Sequence, residues 1–193
     1  MRTPRTFLFA VALLVAAGAG AAIGANIAQE PQDAAAVMLK PGPEHEIMKK
    51  DEGKWNAAVK MWTAPTAPPM EMMGMEVNKL DCHGLWMTTS FDSPDGSFSG
   101  RGISGWDAQK KKYVSVWVDT ESTYMNTSMG TFDKAKNAFS FNGEQLDKAT
   151  GKMIKNRSLT EYPDANTRKF TMWSTPADGK EVKGFEITYT RSK

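Results

Sequence analysis

Three clusters in this 193-residue chain have residue types and spacing that could do chemistry. Asp81-Cys82-His83 sets a thiol beside an imidazole and a carboxylate, the group types of a nucleophilic site. On a strand, adjacent side chains leave opposite faces, so Cys82 and His83 cannot pair locally, whereas Asp81 and His83 can. His83 also abuts Gly84 at an expected turn, where a surface imidazole is the ordinary outcome. Gly100-Arg-Gly102-Ile-Ser-Gly105 meets the dinucleotide spacing. That spacing works only where a strand gives way to a helix whose N-terminus meets a pyrophosphate. Here Trp106-Asp107 runs into another hairpin, so the glycines are expected to allow strand curvature or close backbone approach. Met70, Met72, Met73 and Met75 are soft thioethers of the kind that suit Cu(I). Methionine is also the adaptable filler of apolar interiors, and a pliable rim or wall is the reading taken. No catalytic residue and no metal ligand is assigned.

The carboxylates add no pair. Asp107, Asp133, Asp147, Asp164 and Asp178 fall at expected turns, where Asp caps backbone groups. Asp119, Glu121, Glu144, Glu161 and Glu186 fall in or beside expected strands, and an inward acid would come from among them.

The elements that must position these groups are strands. From Lys54 onward, alternating segments are separated by turn chemistry such as Ser93-Pro-Asp-Gly96, Asp107-Ala-Gln-Lys110, Asp133-Lys-Ala-Lys-Asn137 and Pro163-Asp-Ala-Asn166. Strands are predicted over 55–62, 72–82, 85–92, 98–106, 113–119, 124–132, 138–146, 153–162, 169–174 and 182–191. None of the intervening stretches is long enough for a helical crossover, so the sheet is an antiparallel meander. A meander of about ten strands leaves two bare edges unless it closes on itself, which makes it an up-and-down β-barrel. A short polar run of helix formers, residues 44–52, precedes it.

Alternation then assigns the interior. Trp55, Val59, Met61, Met87, Trp117, Phe141, Met172, Phe185, Ile187 and Tyr189 are the predicted lining. Gly53, Trp55 and Arg191 are predicted to close the barrel, Arg191 lying across the Trp55 ring. A solvated Arg191 is the alternative. Trp62, Trp86 and Trp173 are placed outward.

The N-terminus carries Arg2 and Arg5, an apolar run from Phe7 to Ile23, then small residues to Ala28. This is the order of a secretory signal peptide over residues 1–28, or an anchor if uncleaved. Residues 29–40 read as a linker and 41–193 as one barrel domain. Removing residues 1–28 leaves 22 basic against 22 acidic side chains. A neutral domain has no footprint for nucleic acid and no polybasic patch for anionic lipid. With only Cys82, an exported chain has no internal disulfide, and its stability must come from core burial.

The string from Lys40-Pro-Gly-Pro-Glu-His-Glu to Gly53-Lys-Trp resembles the bacterial family called domain of unknown function 1579. So do Gly100 to Asp107, Lys110 to Tyr113, Trp117-Val-Asp119, Gly130-Thr-Phe-Asp133, Asp147 to Met153, and Glu186 to Arg191. The resemblance spans roughly Met38 to the C-terminus. It implies a small lipocalin-like barrel and brings no reaction, cofactor or catalytic residue. The signal segment and the Met70 to Met75 cluster depart from the commonest members. Some barrels of related shape hold haem through a late histidine, but this chain has only His45 and His83, so no cofactor is expected.

Three functions are carried forward. The first is an exported barrel binding a small, mostly apolar ligand without catalysis. The second is a solid barrel acting as an interaction or envelope module through its outer face, favoured by a contiguous patch of outward Trp. The third is a small hydrolase or isomerase, favoured by a buried acid facing Tyr124, Tyr189 or His83.

Overall fold

The computed structural model describes residues 39–193, except 65, 148–149 and 177–178. Residues 1–28, predicted as a signal segment, and most of the predicted linker 29–40 lie outside the described residues. Helix α1 (Pro43–Met48) starts on a proline, whose fixed φ suits a first helical turn. It continues into a 3-10 turn over Lys49–Asp51.

Ten strands follow: β1 (Gly53–Met61), β2 (Met70–Asp81), β3 (Trp86–Asp92), β4 (Ser99–Asp107), β5 (Lys112–Asp119), β6 (Ser122–Asp133), β7 (Ala138–Asp147), β8 (Lys152–Asp164), β9 (Thr167–Thr175) and β10 (Val182–Arg191). Each pairs antiparallel with its sequence neighbours, and β1 pairs with β10, so the meander is a closed barrel. Closure leaves no bare strand edge.

Two segments differ from the sequence expectation. Strand β8 runs through Pro163 to Asp164, because the register shifts there and the proline sits in a bulge where no ladder N–H is required. Residues Cys82–Gly84 form a 3-10 turn instead of extending β2, with positive φ at both Cys82 and His83.

One end of the barrel is a floor, made by the start of β1, β3, β5, β7 and β9 and the incoming helical turn. The Tyr113 hydroxyl donates to the Glu44 carbonyl at 3.0 Å, fastening α1 over this end. Tyr113, Phe139 and Tyr162 pack beneath it with Met48 and Met87. Trp55, 1% exposed, plugs the floor under the Arg191 guanidinium, 4.1 Å from the ring centroid. Arg191 also donates to the Glu52 carbonyl at 2.7 Å and the Lys50 carbonyl at 3.0 Å. Gly53 has φ +114, and a β-carbon there would stand 2.9 Å from the Arg191 Nη1. Only glycine combines that backbone with that clearance.

Candidate functional site: the barrel interior

A cavity of about 1330 Å³ occupies the barrel, reaching from Asp51, Glu76, Arg168 and Tyr189 at the floor to Met61, Asp119, Tyr124, Leu146 and Phe185 at the opposite rim. The side chains the barrel turns inward do not fill it. Its walls differ in chemistry because the inward positions differ strand by strand. On β9, β10, β1 and β2 those positions are Phe170 and Met172, Phe185 and Ile187, Val59 and Met61, and Met72. On β4 to β8 they include Ser104, Ser115, Asn126, Ser128, Asn156 and Ser158. Above its charged floor the β9 to β2 side is therefore mostly apolar, whereas on the β4 to β8 side hydroxyls and amides stand among Trp117, Phe139 and Phe141.

Of the predicted lining, Val59, Met61, Met87, Trp117, Phe141, Met172, Phe185, Ile187 and Tyr189 border this cavity. Trp55 points inward but is sealed between Arg191 and Arg168 and does not reach the space. The glycine motif has a steric reason. A β-carbon on Gly100 would lie 2.1 Å from the Trp117 ring, and one on Gly102 would lie 3.0 Å from it. Gly105 faces outward and seats the Trp86 ring at 2.3 Å. The methionine cluster divides by alternation: Met70 and Met72 share the inner phase with Met61, and Met73 and Met75 lie on the exposed outer phase.

Asp81 spends its carboxylate on the Cys82 backbone N–H at 2.6 Å, and Cys82 is exposed. His45 is buried, its Nδ1 accepting from the Gly42 N–H at 2.9 Å. Among the described residues, no group of three His, Cys, Asp or Glu side chains is placed to hold a metal.

The cavity floor carries a charged knot. Arg168, 5% exposed, donates from Nη1 to Asp51 Oδ1 at 2.6 Å and from Nη2 to Glu76 Oε1. Its guanidinium lies 4.0 Å from the Tyr189 ring centroid and 4.9 Å from that of Trp55. The Tyr162 hydroxyl donates to Asp51 Oδ2 at 2.8 Å. Asn78 Nδ2 donates to Glu76 Oε1 at 2.6 Å, and the Thr89 hydroxyl donates to Asn78 Oδ1 at 2.7 Å. The Asp51 carbonyl accepts from Trp55 Nε1 at 2.9 Å and Asn78 Nδ2 at 3.0 Å. Asp51 thus ties the helical turn to β1, β2, β8 and β9. Burial opposes the Arg168 charge, but Asp51 and Glu76 beside it hold its pKa well above the ordinary value.

Burial, followed by the nearby Glu76, pushes the Tyr189 hydroxyl well up, and burial with Asp51 does the same for Tyr162. Tyr113 is pushed up to about 12, first by burial and then by Glu44. A raised folded pKa means the unfolded chain loses these protons first, so the stability they contribute is intact below about pH 10 and is lost above it. Urea midpoints followed against tyrosinate absorbance should therefore be insensitive to these tyrosines below that pH and fall steadily from there to about pH 12. Ionisation of Tyr113, Tyr162 and Tyr189 near pH 10 in the folded barrel would contradict the burial assigned to them.

Sequence reasoning missed Asp51, Glu76, Asn78, Tyr162 and Arg168 as site residues. A signal was present: Glu76 and Asn78 share the inward phase of Met72, and Arg168 shares that of Phe170 and Met172. Of the acids placed in or beside strands, Asp119 and Glu121 border the cavity at its rim. Glu144, Glu161 and Glu186 do not border it.

Residues 40–191 match the family described as Protein of unknown function (DUF1579). The chain belongs to this family. Among solved structures, it is similar to Rv2717c from M. tuberculosis, with a TM-score of 0.60 and 13% identity over 79% of this chain and 99% of that one. At that identity the likeness shows the barrel fold alone. No curated protein matches the chain.

Proposed function

We propose that this member of the family is an exported, lipocalin-like barrel that holds a small, mostly apolar molecule in its interior without catalysing a reaction. The observation that carries this reading is the cavity of about 1330 Å³ within a closed barrel. Ligand pockets are usually about 300–1,000 Å³, mostly apolar, with a few placed polar groups. The aromatic wall and the polar floor fit that description. The leading Arg2 and Arg5, apolar run and small residues support export.

Two observations weigh against the other readings. Each outward tryptophan is individually covered: Lys183 lies 3.9 Å from the Trp62 ring centroid, Arg157 lies 3.7 Å from that of Trp173, and Trp86 packs over Gly105. All three rings are half-buried, which weighs against a bare aromatic face of the kind an interaction module would present. Glu76 does face Tyr189, the pairing that would favour a hydrolase or isomerase. However, Glu76 already accepts from Arg168 and Asn78, and Tyr189 keeps its proton far above neutral pH, so neither is a free general base.

Titration with Nile red, an uncharged apolar dye, tests the proposal. Saturable uptake at one dye per chain, with quenching of tryptophan emission, is the expected result. No uptake, or uptake only by unfolded protein, would sink it.

A further inference from the structure

Among the described residues that line the cavity, the basic side chain is Arg168, set at the floor with the acidic Asp51 and Glu76, and Asp119 adds a carboxylate at the rim. Arg168 is the group a carboxylate or sulfate ligand would seek. It is already bound to two carboxylates and stacked on Tyr189, so a third anion would meet no unpaired positive charge. Asp119 holds the Trp117 indole N–H at 2.9 Å, which keeps another carboxylate at the entrance.

One donor at the floor is left open. Arg168 Nε is buried and has no hydrogen-bond partner. A buried donor left in that state is costly, and an uncharged oxygen satisfies it without adding charge. The wall above it offers further uncharged partners at Ser104, Ser115, Ser128, Asn156 and Ser158.

We infer that the barrel selects uncharged amphiphiles, with a hydroxyl- or carbonyl-bearing end among these polar groups and an apolar tail along the Phe170, Phe185 and Ile187 wall, and that it rejects anionic amphiphiles of the same length. This rests on the proposed container function. It deepens that reading by naming the chemical class of the cargo.

The test compares glycerol monolaurate with laurate, which share one tail, titrated into the purified full chain at about pH 8, where the acid is ionised. The monoglyceride should bind about tenfold or more tightly, since the anion enters a region of like charge. Glu76→Gln and, separately, Asp119→Asn should each narrow that ratio, and the rim variant keeps the comparison available if the floor variant does not fold. Laurate binding as tightly as the monoglyceride, or a ratio that neither variant moves, would overturn the inference and leave the container intact. Failure of both lipids and of Nile red to bind would overturn the container reading and the inference together.

Discussion

Replacing Arg168 with Met is expected to cost the barrel about 3–5 kcal/mol at neutral pH, the usual penalty for stranding one side of a buried ion pair. The guanidinium neutralises Asp51 and Glu76 and stacks on Tyr189 at the same time. Methionine keeps much of the volume and none of the charge, so two carboxylates would face each other in a nearly closed space. Like charges and burial both raise a carboxyl pKa, so in the variant the folded state would bind a proton more tightly than the unfolded chain. Such a group contributes stability that is present below the unfolded pKa and lost as pH rises through the folded one. The gap between variant and wild type should therefore shrink as pH falls below about 5. Arg168→Lys should fall between the two, because it restores the charge without the planar fork that reaches both acids. Urea unfolding across pH measures all three. A loss under about 1 kcal/mol that ignores pH would mean the knot contributes nothing beyond packing.

Ser115→Trp should weaken Nile red uptake, lowering affinity by about tenfold or more, while moving stability by no more than about 1 kcal/mol. Ser115 lies on the inner face of β5 between Ser104 and Ser128 and borders the cavity. In a packed core, an added indole would force its neighbours off their rotamers and destabilise the fold. Here it would enter unfilled space. The pair of readings separates the two architectures: a solid barrel would lose stability, and an open one loses binding. Unchanged dye affinity would place the dye outside the barrel.

The fold was legible because its signals are local. Turn residues at Ser93-Pro-Asp-Gly96 and Asp133 to Asn137 mark connections, and period-two alternation in 55–62 and 182–191 fixes which side chains face in. Closure followed from the number of strands and the cost of bare edges. The meaning of Gly100 and Gly102 was only half legible. Close approach could be expected, but that the approaching group is the Trp117 ring depends on β4 and β5 register.

The charged knot was least legible, because its members are far apart in sequence and carry no motif. Asp51 meets Arg168 only because a helical turn folds across the floor, and Arg168 meets Glu76 across the barrel end although they are 92 positions apart in sequence. A charged residue in an inward phase, Glu76 or Arg168, was the available hint. Whether the interior is filled was not legible at all, since the same inward list of aromatics and methionines suits a packed core and a lined cavity equally.

Native mass spectrometry of the protein, purified without detergent from the cells that make it, tests the central claim most directly. An added mass that stays with the folded chain, leaves on denaturation and is diminished in Ser115→Trp is the result predicted for a barrel that carries cargo. A bare polypeptide mass, together with no uptake of Nile red or monoglyceride by the same sample, would contradict it.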